Sequence, residues 1–154
     1  MRRLLLTMLM LFGLLSPAAQ ARVAPERPAP KRRPARLAGR VVAFAKHQLG
    51  VPYRFGGFSR STGFDCSGLV YAAYRSIGEK IPHSTWGQMA LGARVRFARL
   101  RPGDLVFTNG GGHVVLVVSQ QAAIQAPHTG ARVSYVSLKS LRGEFVGARR
   151  LLRG

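Results

Sequence analysis

The chain has 154 residues, 24 of them Lys or Arg against 5 Asp or Glu, for a net charge of +19, and it contains a single cysteine. One cysteine excludes an intramolecular disulfide framework, and the length gives one domain with a real core rather than two. A surface this basic concentrates near anionic polymers.

Arg2-Arg3, an apolar run from Leu4 to Leu15 and the motif Ala19-Gln20-Ala21 read as the n-region, h-region and cleavage site of a secretory signal peptide over residues 1–21. The run is shorter than the about 20 residues that cross a bilayer, so no transmembrane helix is expected after cleavage. Export makes envelope polymers or anionic lipid headgroups the expected anionic partners, not nucleic acid. Residues 22–36 carry Pro25, Pro28, Pro30 and Pro34 among Ala and Arg. They are predicted to form an extended, disordered basic arm, either a tether to an acidic surface or a plain linker. The folded domain is predicted over residues 37–154.

Within it, Val41, Val42, Ala45 and Leu49 mark one face of a helix ended by Gly50. The aromatic, glycine-rich segment from Val51 to Phe58 follows, in which Tyr53 either reaches a site through its hydroxyl or simply packs. Next, Leu69, Val70, Ala73, Tyr74 and Ile77 recur at helical spacing, with Asp65 as N-cap and Gly78 as C-cap. Cys66 therefore falls in the first turn. Unpaired N–H groups and the helix dipole there favour a thiolate. A lone cysteine is commonly a small buried hydrophobe, but a free thiol in an exported chain favours the reactive reading.

Ser84 or Thr85 is predicted to cap a short helix running to about Leu91. Its Trp86 either lines a substrate groove or fills the core, the core being the safer reading by residue type. Leu100-Arg101-Pro102-Gly103-Asp104 reads as a turn, Leu105-Val106-Phe107 as a short strand, and Asn109-Gly110-Gly111-Gly112 as a hairpin-like connection. The apolar, β-branched run from His113 to Val118 is predicted to be a central strand. Ala122–Ala126, Val133–Val136 and Phe145–Ala148 supply further strands. Helices first and antiparallel strands second make an α+β fold. No metal ligands stand at close spacing, and no cofactor is expected.

A thiolate nucleophile needs a base, and the base needs a group that fixes its tautomer. His113, at the start of the central strand behind a glycine run, is the best candidate base for Cys66.

Five elements carry a resemblance. Gly50-Val51-Pro52-Tyr53-Arg54-Phe55-Gly56-Gly57, Asp65-Cys66-Ser67-Gly68, Pro82-His83-Ser84-Thr85, Arg101-Pro102-Gly103-Asp104-Leu105-Val106-Phe107 and Gly112-His113-Val114 resemble, in order, the motifs of the NlpC-type (p-sixty) cell-wall cysteine peptidases. The resemblance implies a papain-like fold, N-terminal helices packed on a central antiparallel sheet. It implies an endopeptidase that cuts peptide bonds in the stem or cross-link peptides of peptidoglycan, and with the signal peptide the expectation is an exported, cell-wall-associated enzyme, periplasmic or extracellular, and a monomer. By the same resemblance Cys66 is the nucleophile, His113 the base, and Tyr53 the tyrosine beside the nucleophile. Asp65, Ser67, Trp86 and His128 are candidates for oxyanion or substrate binding. The family's usual orienting histidine is replaced here by Gln125, twelve positions after His113. An amide oxygen can still accept the imidazole N–H, and His128, a loop residue three positions on, is the alternative orienter. Two other functions are compatible with the residues: a peptidoglycan-binding module without activity, and an amidase or acyltransferase using the same pair.

Overall fold

The computed structural model describes residues 34–152. The signal-peptide reading and the basic arm as far as Arg33 lie outside the described residues. The last three residues of the expected arm do not behave as arm: α1 spans Pro34–His47 and so begins three residues before the predicted domain start. Proline is well suited to a first helical turn, where its missing N–H has no carbonyl to reach.

After α1 come a two-stranded ribbon, β1 (Phe58–Ser59) with β2 (Gly63–Phe64), then α2 (Cys66–Arg75) and α3 (Thr85–Met89). Six strands follow: β3 (Ala93–Arg94), β4 (Leu105–Thr108), β5 (His113–Val117), β6 (Ala122–Gln125), β7 (Ser134–Ser137) and β8 (Gly147–Arg150). They form one sheet in the order β3-β8-β4-β5-β6-β7, every pair antiparallel. The α+β, papain-like expectation holds.

β5 is central because both its faces are covered. Val114 and Leu116 join Val41, Ala45, Leu69, Ala73 and Tyr74 in the core under the helices. Val115 and Val117 join Val106, Ala123, Leu138, Leu141 and Ala148 on the other side. That explains an unbroken apolar run in place of alternation. Each fully buried Val or Leu contributes about 1.5–3 kcal/mol, so this strand anchors the end of the sheet where His113 sits.

Several boundaries differ from the sequence reading. Phe145 stays out of β8 because its ring packs edge-on against Phe97, 5.2 Å between centroids. The expected hairpin connection after β4 is present: β4 and β5 pair antiparallel up to Thr108 opposite His113, and the loop that joins them takes a 3₁₀ turn over Asn109–Gly111. The last helical residue of α2 is Arg75, and Gly78, at φ 86°, closes the helix end as expected: its N–H donates to the Arg75 carbonyl at 3.0 Å and the Glu79 N–H to the Tyr74 carbonyl at 3.1 Å.

Candidate active site

Asp65 and Cys66 mark the junction from β2 to α2. The Asp65 N–H donates to the Gly57 carbonyl at 3.0 Å, and its side chain caps the helix by accepting the Gly68 N–H at 2.6 Å. Cys66 is thus the first residue of α2, and its thiol is free and half-buried. The Cys66 N–H donates to no backbone carbonyl among the described residues, leaving a donor beside the sulfur.

Burial pushes the Cys66 thiol up from its ordinary value, and the Asp65 charge pushes the same way. Against this work backbone N–H groups directed at the sulfur, foremost that of Val114, then those of Ser67 and Cys66 itself. The helix start is expected to favour the anion, and these N–H groups do so, yet the net direction is upward. Loss of water around a half-buried sulfur outweighs them. The Val114 contact also brings Cys66 to the residue that follows His113.

His113 is the first residue of β5 and Gln125 the last of β6, so antiparallel pairing brings them to one end of the sheet. His113 Nε2 lies 2.9 Å from Gln125 Oε1. An amide oxygen only accepts, so Nε2 carries the proton and Nδ1 keeps its lone pair. His128 makes no such contact. It is exposed, and its Nδ1 pairs with the Thr129 carbonyl at 3.0 Å, because the loop after Pro127 carries it away from the ring.

Tyr53 is half-buried on a segment bridged to Phe64, just before Asp65. Burial raises the pKa of its hydroxyl, and the charges of Cys66 and Asp65 raise it further. Asp65 and Ser67, candidates for substrate contact, are instead buried and turned into the protein. The Ser67 hydroxyl donates to Asp65 Oδ1 at 3.2 Å, and Asp65 Oδ2 accepts the Gly56 N–H at 2.8 Å. The core reading of Trp86 is overturned: the residue is 64% exposed. α3 is too short to bury it, and it lies over Gly111 in the turn that leads to His113; a side chain there would stand 3.0 Å from the indole.

Two residues of this neighbourhood escaped the sequence reading. His83 Nε2 lies 3.1 Å from Asp65 Oδ1. Gln88, fully buried, donates from Nε2 to both the Ser67 and Pro82 carbonyls at 2.9 Å, tying the first turn of α2 to the segment before α3. The Pro82-His83-Ser84-Thr85 motif pointed to the first; nothing in a single glutamine on a short helix pointed to the second.

Helices on one face of an antiparallel sheet, a cysteine opening a helix and a histidine opening the central strand define the papain-like class. The profile of the NlpC/P60 family matches residues 50–150, and the chain belongs to that family. It is 42% identical over 115 residues to the murein DD-endopeptidase MepH of Escherichia coli, covering 68% of this chain and 42% of that protein. To the gamma-DL-glutamyl hydrolase of Bacillus subtilis it is 38% identical over 117 residues, covering 71% of this chain and 28% of the other. Among solved structures, the peptidoglycan hydrolase RipB of Mycobacterium tuberculosis superposes with a TM-score of 0.73 at 28% identity, over 82% of this chain and 70% of that one. The chain spans less than half the length of these two curated relatives.

Proposed function

We propose that the protein is an exported cysteine endopeptidase that hydrolyses peptide bonds in the stem or cross-link peptides of peptidoglycan. The observation that carries this reading is the hydrogen bond from His113 to Gln125, in an imidazole whose neighbouring backbone N–H is directed at Cys66. Relatives named as murein and peptidoglycan endopeptidases support the substrate class.

The chemistry follows from the tautomer. As Cys66 Sγ attacks the carbonyl carbon, Nδ1 of His113 takes the thiol proton, which suits a thiol that burial keeps protonated at rest. Charge on the carbonyl oxygen is met by the Cys66 N–H and the Tyr53 hydroxyl. The imidazolium then gives its proton to the departing amine, leaving a thioester on Cys66. Water enters, surrenders a proton to the same nitrogen, and releases the carboxylic acid and the free thiol. Gln125 Oε1 accepts the Nε2 proton throughout, holding the ring in plane. Trp86, exposed above the turn that leads to His113, offers its indole to the substrate peptide. Cell-wall substrate places the enzyme outside the cytoplasm, where the basic arm serves as its tether to anionic envelope polymers.

Digestion of purified sacculi, with products analysed by mass spectrometry, tests the reading. Wild-type protein is expected to release fragments with new peptide termini, and Cys66→Ser and His113→Ala to release none. Undiminished turnover by either variant overturns the site assignment. Binding without products makes the protein a binding module, and transferred acyl groups make it an acyltransferase.

A further inference from the structure

Asp65 is crowded with donors. Besides the N–H groups of Gly56 and Gly68 and the Ser67 hydroxyl, it faces His83, whose Nε2 lies 3.1 Å from Oδ1. An ionised carboxylate only accepts, so the His83 Nε2 carries a proton. The His83 ring stacks on Tyr71, 5.5 Å between centroids and 20° between planes, and meets Phe58 edge-on at 5.7 Å. Its side chain is nonetheless 26% exposed. A side chain at Gly68 would come within 2.8 Å of Nε2. The first turn of α2 and the imidazole are therefore fitted to one another.

The groups around His83 are few. Asp65 faces it from the cap of α2. From α2 itself come the Tyr71 hydroxyl and Arg75, which donates to that hydroxyl at 2.7 Å and lies over the same ring. β1 contributes only the Phe58 ring, and Ser84 ahead of α3 carries no charge. Asp65 is the one carboxylate within ion-pair distance of His83 among the described residues. The same carboxylate opposes charge on the Cys66 sulfur, so a positive His83 offsets it.

We propose that His83 is a positioning residue for the nucleophile: it holds Asp65 in the helix cap and, when protonated, screens that carboxylate from Cys66. The inference rests on Cys66 being the nucleophile of the function proposed above, and it adds an acid-side gain in thiol reactivity. Histidine changes charge between about pH 5 and 8, so the screening operates at the acidic end and fades as pH rises.

The test is alkylation of Cys66 by iodoacetamide in the full chain, followed from pH 5 to 9. His83→Gln keeps a donor for Asp65 without the charge. At pH 5.5 its alkylation rate constant is expected to fall about threefold to tenfold below wild type, since one unit of thiol pKa is tenfold in thiolate. Above pH 8 the two profiles converge. His83→Arg, a fixed cation, keeps the acidic rate and exceeds wild type above pH 8. Superimposable profiles for wild type and His83→Gln overturn the proposal. An equal loss at every pH with a lowered Tm also overturns it, because that is a structural role alone. The assay contains no cell wall, so a protein that shows these profiles yet leaves sacculi uncut fails as a hydrolase while His83 keeps its effect on the thiol.

Discussion

Oε1 of Gln125 stands 2.9 Å from Nε2 of His113, and that bond decides which nitrogen of the imidazole is basic. A neutral acceptor fixes the tautomer as a carboxylate would, but it brings no charge to steady the imidazolium formed after attack. Gln125→Ala is expected to lower kcat on sacculi roughly tenfold to a hundredfold, short of the ten-thousandfold lost when a triad's carboxylate is made an amide. KM and Tm should hold. Gln125→His restores a ring partner and should retain or raise activity. A dead Gln125→His enzyme with intact fold would remove the orienting role from this position.

That Gln125 could be found at all shows what the sequence carries. The resemblance pointed to it, by placing the orienting residue twelve positions after His113, and a strand, a tight turn and a returning strand are the local features that make this spacing bring the two together. Cys66 and its cap were equally legible, because Asp65 and the helical spacing after it lie within a dozen residues. What stayed hidden depends on three-dimensional burial. The thiol is pushed up where helix-terminus reasoning alone would lower it, because no pattern along the chain reports how much water the sulfur loses. Trp86 looked like core by residue type, yet α3 has five residues and leaves it outside. β3 has two residues and pairs with β8 far along the chain, too short for any periodicity.

Gly68 offers a sharp test of how tightly the nucleophile's helix is set. A Cβ there would lie 1.9 Å from the Gly57 carbonyl oxygen and 2.9 Å from Asp65 Oδ1. That carbonyl accepts the Asp65 N–H, so the clash cannot relax by a side-chain movement. Gly68→Ala is expected to cost about 3 kcal/mol or more and to abolish sacculus digestion. Gly39, exposed within α1 with no atom within 4 Å of its would-be Cβ, is the control. Gly39→Ala should gain about 0.5–1 kcal/mol from helix propensity alone, with activity unchanged, both read by denaturant unfolding.

Alkaline stability follows from two buried acids. Burial, above all, pushes up both the Cys66 thiol and the Tyr74 hydroxyl, the latter donating to the Gly103 carbonyl at 2.6 Å. In each case the unfolded chain loses its proton at lower pH than the folded one. Above about pH 8.5 the folded state therefore binds more protons, and stability falls as pH rises. Thermal scans should show Tm constant at neutral pH and declining through pH 9 and 10. Cys66→Ala should flatten the first part of that decline. Tyr74→Phe should flatten the later part, at the cost of about 1 kcal/mol at neutral pH for the lost hydrogen bond. A wild-type Tm that climbs with pH in this range would contradict the burial of both groups.

Thr108 faces His113 across the β4–β5 pair and is 1% exposed, yet its hydroxyl has no hydrogen-bond partner among the described residues. A buried hydroxyl without a partner carries a desolvation cost that nothing offsets, whereas an apolar group of the same shape carries none. Thr108→Val is therefore expected to raise stability by about 1 kcal/mol, seen as a higher urea midpoint with unchanged slope, while sacculus digestion stays within about twofold of wild type. A lower midpoint would mean that a buried water satisfies the hydroxyl. A higher midpoint with lost turnover would mean that the hydroxyl serves the imidazole across the ladder, making Thr108 a second partner of His113 beside Gln125.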